Sequence, residues 1–365
     1  MFSCTRTKSK CIELSKSGNI AEYFTGRKLV IPILIGLATA AYFFLQDFDV
    51  QAYQSINWTA ATSLWLLAAV LSVFTRLLCY AYRLIVLSNY EISWRRAIQI
   101  IILWEFSSAI SPGIVGGTAA ALLLLAREKN IDTGKGSAIV LATSFLDVLF
   151  YVFAVPLMAL WVARADVIPH SIGYLTEGTI WQYFVTIYSI FLGWAILLGF
   201  GLFFKPKGIA QFVLFFTKIR FLTRFRGKVK KWGDNLILAA EAFRKESFWH
   251  WFKAFSGTSF AWISRFILVN CLILALGNGV EIAEIFAKQL VMWAALMIPA
   301  TPGAAGMAEW LFSGFMNEYF ANAQLTNTTA FLWRLLSYWP YLFAGLLMFP
   351  LWYRATAKSK KLQVR

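Results

Sequence analysis

The chain has 365 residues, of which 59% are hydrophobic, 17% aromatic and only 14% charged. That is more apolar surface than a soluble domain of this length can hide, which excludes the soluble classes and points to an integral membrane protein. A net charge of +16 would suit nucleic acid, but the cations are banded along the chain between apolar runs, so no nucleic-acid partner is expected.

The first 28 residues are polar and basic, without a small-residue cleavage site ahead of the first apolar run, so no signal-peptide pattern is read there. Runs of spanning length, about 20 residues for a hydrocarbon core of about 30 Å, follow at 29–46 and 58–82. Next comes an apolar block, 97–126, interrupted by "SPGIVGG" at Ser111–Gly117. Spans are expected again at 136–163, 181–204 and 257–277. A second interrupted block, 285–320, carries "TPGAAG" at Thr301–Gly306, and a last span is expected at 330–353.

Lys and Arg number 6 in 1–28, 3 in 83–96, 3 in 127–135, 12 in 205–253 and 5 in 354–365, against 1 in 164–180 and none in 47–57, 278–283 or 321–329. Placing the positive loops in the cytoplasm puts both termini inside and 29 of the 34 basic residues on the inner face of a cytoplasmic membrane. The basic linker 205–253 alternates cations and aromatics ("KIRFLTRFRGKVKKW"). It reads either as an amphipathic helix on anionic inner-leaflet lipids or as a solvated loop.

The same map fixes the broken blocks. The first is flanked by Arg95 and Arg96 and by Arg127 and Lys129, so it enters and leaves on the inner side as a hairpin. Its limbs, 97–111 and 113–126, would rise about 22 and 21 Å, short of a full crossing. The second has no Lys or Arg on its flanks and enters from the outer side, either as an opposed hairpin or as a tilted pair of full spans. The expected fold is therefore all-α: a single polytopic membrane domain, 1–365, with about six full spans and two opposed broken or re-entrant hairpins.

Opposed hairpins imply an inverted repeat. Arg76 to Trp104 is 28 residues, as is Arg265 to Trp293; Pro112 and Pro302 each open Pro-Gly-x-x-Gly; and "YVFAVPLM" from Tyr151 answers "YLFAGLLM" from Tyr341 at five of eight positions. The halves would be about 29–163 and 181–353.

Candidate site residues follow from the cost of these features in lipid. A helix stopped in the bilayer leaves unpaired backbone groups, tolerated only where protein or a wet cavity supplies partners. Pro112, Gly113, Gly116 and Gly117 in the first break, and Pro302, Gly303 and Gly306 in the second, would let helix N-termini approach an anionic group such as a phosphate; the bland alternative is close helix packing. Intramembrane charges cost about 3 kcal/mol or more unless paired or hydrated. Those expected inside are Arg76, Glu105, Asp147, Arg265, Glu309 and Arg334, with Arg265 and Glu309 as the functional pair and Arg76 and Arg334 placed to snorkel. Structural ion pairing is the alternative for all of them. No catalytic constellation emerges: "DFD" at Asp47–Asp49 is too short to carry a glycosyltransferase metal site. Cys4, Cys11, Cys79 and Cys271 lack disulfide or metal spacing, and His170 and His250 are read as loop residues, so no cofactor or metal is expected.

"SPGIVGG" followed by the Asp-bearing "FLD", and later "PATPGAAGMAEW", resemble the transmembrane, flippase-like region of lysylphosphatidylglycerol synthases and its stand-alone relatives over roughly 20–355. The family's Pro-Gly-x-x-Gly-x-x-Glu falls on Pro302, Gly303, Gly306 and Glu309. In the first half only Asp147 matches, with Thr118, Ala121, Thr143 and Ser144 where the family carries polar or charged groups. The resemblance implies a lipid or polyprenyl-linked substrate and a headgroup translocator, and nothing like the family's soluble aminoacyl-transferase domain is present. An ion-coupled transporter of a soluble solute on the same scaffold is the alternative, with an intramembrane lipid or glycosyl transferase third.

Overall fold

The computed structural model describes residues 58–110, 114–128, 131–204, 208, 234, 237–238, 240–278, 281–296 and 302–363. The described elements are helical apart from a two-residue β-hairpin. Helices α1 (Ala60–Leu87), α2 (Trp94–Ile110), α3 (Ile114–Leu125) and α4 (Thr133–Ala159) lead to a short α5 (Arg164–Val167) and the antiparallel strands β1 (Ser171–Ile172) and β2 (Leu175–Thr176). Helix α6 (Glu177–Gly199) continues as a π-helix through Phe204. Then come α7 (Phe248–Leu276), α8 (Ile282–Ala295), a 3-10 turn at Pro302–Ala304, α9 (Met307–Met316), a second 3-10 turn at Asn317–Tyr319, α10 (Ala323–Ser337) and α11 (Trp339–Gln363).

Among the described residues five helical stretches are long and apolar enough to cross a membrane: α1, α4, α6, α7 and the α10–α11 pair. They correspond to five of the six expected spans; the sixth, 29–46, lies outside the described residues, as do Asp47–Asp49 and most of the basic linker. The protein is an all-α membrane protein.

Helix α1 shows why this sequence suits lipid. Leu64, Leu67, Leu71, Phe74 and Leu78 recur every three or four residues and are about half exposed or more, while Ala69, Ser72, Arg76, Tyr80 and Arg83 recur on the opposite face and are buried. Apolar outside and polar inside inverts the soluble pattern, and it is stable only where the surroundings are as apolar as leucine. Thr59 caps the helix start by accepting from the Thr62 N–H at 3.2 Å.

Helix α7 is the most enclosed of the long helices, with 67% of its apolar window buried. It packs along α1, and the run is antiparallel. A Cβ on Gly257 would meet the Cys79 carbonyl and Arg83, and Arg83 reaches Thr258, whereas Arg76, one turn pair earlier, lies level with Arg265 through the carboxylate they share. As the number rises on one helix it falls on the other.

The two broken blocks are pairs of short helices. At 1.5 Å per residue α2 and α3 rise about 26 and 18 Å, and α8 and α9 about 21 and 15 Å, all below the thickness of a hydrocarbon core. Helices α2 and α3 lie so close that a Cβ on Gly117 would sit 1.9 Å from Ser108 Oγ. At this position the small residue serves helix packing, the plainer of the two readings. The last span differs from expectation: it starts at Ala323, not 330, and breaks at Tyr338. Pro340 explains the break, since it has no N–H for the carbonyl four residues back and its ring crowds that carbonyl. Pro156 inside α4 frees the Val152 carbonyl in the same way, and Tyr188 of α6 donates its hydroxyl to it at 3.2 Å.

Candidate functional site

Three of the ionic clusters among the described residues gather the charges expected inside the membrane. In the first, Arg76 on α1 and Arg265 on α7 converge on Glu105 of α2: the Arg76 guanidinium nitrogen is 3.4 Å from Glu105 Oε2 and that of Arg265 is 3.7 Å from Oε1. The first is a long hydrogen bond and the second an ion pair only. Arg265 lies in the angle between Trp262 and Trp293, whose rings meet at 87°, with its guanidinium carbon 4.7 and 4.6 Å from the ring centres, and Arg76 stacks 4.7 Å over Tyr341. Such contacts recover about 2 kcal/mol each when desolvated, and they suit the flat, weakly hydrated guanidinium better than an ammonium.

In the second cluster Arg83, 5% exposed, donates to Asp147 at 2.6 Å, and the Trp262 indole N–H donates to the same carboxylate oxygen at 2.9 Å. Trp262 therefore touches both clusters.

The third accounts for the Pro-Gly-x-x-Gly-x-x-Glu motif. Gly303 and Gly306 have φ of +60° and +83°, a region L residues rarely adopt, and a Cβ on Gly303 would come within 2.6 Å of the Tyr338 ring. Glu309, on the first turn of α9, reaches back to accept from the Gly306 N–H at 2.8 Å, as a capping residue does. Arg334 of α10 donates to Glu309 at 3.1 Å and to the Gly303 carbonyl at 2.7 Å, while stacking 4.2 Å over Tyr338. The Tyr338 hydroxyl donates to the Ala109 carbonyl at the end of α2, at 3.1 Å. One tyrosine thus touches both the end of α2 and the turn before α9.

The expected pairing of Arg265 with Glu309 is not what forms: Arg334 takes Glu309, and Arg265 shares Glu105 with Arg76. Neither Arg76 nor Arg334 snorkels; their side chains are 4% and 11% exposed. The start of α9 is occupied by its own Glu309, so that terminus does not stand open to an anion. Gly116 lies in the first turn of α3, and Pro112 and Gly113 are outside the described residues. His250 sits in the first turn of α7, not in a loop, 3.6 Å from Glu246.

Two charged residues escaped the sequence reading. A span ending at 82 leaves Arg83 in the following loop, although it lies seven residues, two helical turns, from Arg76 and so on the same face. Lys288, 3% exposed on α8, bonds Glu284 four residues earlier and also Glu318, while Tyr319 bonds Glu284.

The carboxylates of Glu105, Asp147 and Glu309 are 27%, 29% and 16% exposed, more than their arginines. A separate cavity of about 290 Å³ between α6, α8 and α9 is lined by Ile180, Tyr183, Val291, Trp310, Leu311 and Phe315, and it is apolar.

Helices with apolar outer faces, breaks within the bundle and charges gathered between them define a polytopic helical membrane protein that keeps ionic groups in its interior. The chain belongs to the family described as the Lysylphosphatidylglycerol synthase TM region, whose model matches residues 29–345. It is similar to a UPF0104 membrane protein of Archaeoglobus fulgidus, 23% identical over 330 residues that cover 87% of this chain and 94% of that protein. No solved structure matches it.

Proposed function

We propose that the protein moves a lipid or lipid-linked headgroup across the cytoplasmic membrane, with the headgroup entering between the broken helix pairs and the tails remaining in the bilayer. The observation that carries this reading is the Arg76–Glu105–Arg265 centre, where charge is concentrated at the crossing of the two antiparallel long helices. Membership of a family named for a lipid-modifying synthase agrees with a lipid-related role. In this reading both termini are cytoplasmic, the basic linker 205–253 rests on anionic inner-leaflet lipids, and residues 29–163 and 181–353 form an inverted repeat with α2–α3 and α8–α9 as opposed re-entrant hairpins. Arg76, Arg265 and Glu105 would meet the substrate. Asp147, Glu309 and Arg334 would hold the surrounding helices, and the glycines of the two breaks would allow their close approach.

A soluble anion coupled to an ion gradient would suit a positive centre as well, and one experiment separates the two readings. In vesicles containing a headgroup-labelled fluorescent phospholipid, the purified protein should make inner-leaflet label accessible to dithionite, raising the quenched fraction from about half toward completion. Unchanged quenching across polyprenyl-phosphate and phospholipid probes, with uptake of a soluble organic phosphate instead, would replace the lipid reading by the solute one.

A further inference from the structure

We infer that Arg76 and Arg265 together form a binding site for a singly charged oxyanion, with the charge of a phosphodiester and not that of a phosphomonoester; the assignment to a lipid rests on the function proposed above.

The first argument is charge balance. Arg83 is matched by Asp147 and Arg334 by Glu309, one cation to one anion. Among the described residues Arg76 and Arg265 share only Glu105, so this centre holds two cations against one carboxylate. Buried charge without a partner is costly, and a guest bringing one negative charge balances the centre. A phosphodiester carries one charge, whereas a monoester carries about −1.5 to −2 near neutral pH and would overshoot.

The second argument is donor geometry and is independent of the count. Each guanidinium spends a terminal nitrogen on Glu105, and the Nε of both Arg76 and Arg265 is buried without a hydrogen-bond partner. The Arg76 side chain is 4% exposed. Trp293, against which Arg265 stacks, also leaves a buried indole N–H without a partner among the described residues. Trp262 and Trp293 stand at 87° to one another beside the Arg265 guanidinium, and its Nε keeps an unspent N–H in the plane of the group. In-plane approach is the geometry in which arginine grips a phosphate with two donors.

The test titrates the purified full-length protein in neutral detergent, read by tryptophan fluorescence and native mass spectrometry. The probes are dihexanoyl phosphatidylmethanol (a diester), dihexanoyl phosphatidic acid (a monoester) and dimethyl phosphate (the diester without chains). The wild type should bind the diester lipid about tenfold or more tightly than the monoester. Arg265→Gln, which leaves a neutral Arg76–Glu105 pair, should weaken the diester lipid roughly 10- to 100-fold, with Arg265→Lys intermediate. Glu105→Gln, with two unopposed cations, should reverse the preference toward phosphatidic acid; where that variant does not fold, Arg265→Gln still decides. Binding of dimethyl phosphate with the same Arg265 dependence, and of neither lipid, would keep the anion site and remove the lipid reading. Equal affinity of wild type and Arg265→Gln for all three probes would overturn the inference.

Discussion

Arg334 reaches back 31 and 25 residues along the chain: it bonds the carbonyl of Gly303 in the turn and the carboxylate of Glu309 at the start of α9. Both partners are largely buried, so removing one leaves an uncompensated charge in a low-dielectric setting. Arg334→Gln should therefore lower stability by about 3–5 kcal/mol, and the double change with Glu309→Gln should recover most of that loss. Thermal unfolding in detergent checks this, and equal midpoints for single and double variants would mean that the pair is not coupled. The motif around Glu309 was legible because glycine at positive φ and a capping carboxylate are local requirements written into neighbouring residues. Which arginine meets Glu309 was not legible, since the pairing depends on how α9 and α10 pack. Arg83 was missed for a different reason: a hydropathy window that tolerates Arg76 closes before a second arginine, whereas the helix continues through a charge that finds Asp147 on its neighbour.

At the scale of elements, the α2–α3 pair depends on backbone proximity that only glycine permits at Gly117. Gly117→Ala should separate the two helices and destabilise the protein by about 1–3 kcal/mol, the usual cost of overpacking. Adding Ser108→Gly, which removes the atom the new methyl would strike, should restore most of it; failure to restore stability would mean that α2 and α3 are not packed at this point. The short limbs of both broken blocks could be read from the Pro-Gly punctuation and from the charge bands on their flanks. The break at Tyr338 could have been read from Pro340, but the surrounding stretch is apolar enough to pass as one span. The compensation of Pro156 by Tyr188 is a contact between distant helices that no local pattern records.

For the whole molecule, the antiparallel crossing of α1 and α7 decides where charge can be held. Arg76 and Arg265, counterparts in the proposed repeat, converge on one carboxylate, and the leucine face of α1 gives lipid the outside of the bundle. A charged centre enclosed in this way is either a structural tie or a station for a headgroup, and Arg265→Gln separates the two because it leaves Arg76 and Glu105 as a matched pair. The decisive measurement is the dithionite-read translocation rate of a headgroup-labelled phosphodiester lipid in vesicles holding equal amounts of wild type and Arg265→Gln, each confirmed folded by its unfolding midpoint. The expected result is a folded variant whose rate falls at least about tenfold, the loss of one charge-assisted contact. A folded Arg265→Gln that translocates within about twofold of wild type would contradict the account and leave the centre as a structural ion pair.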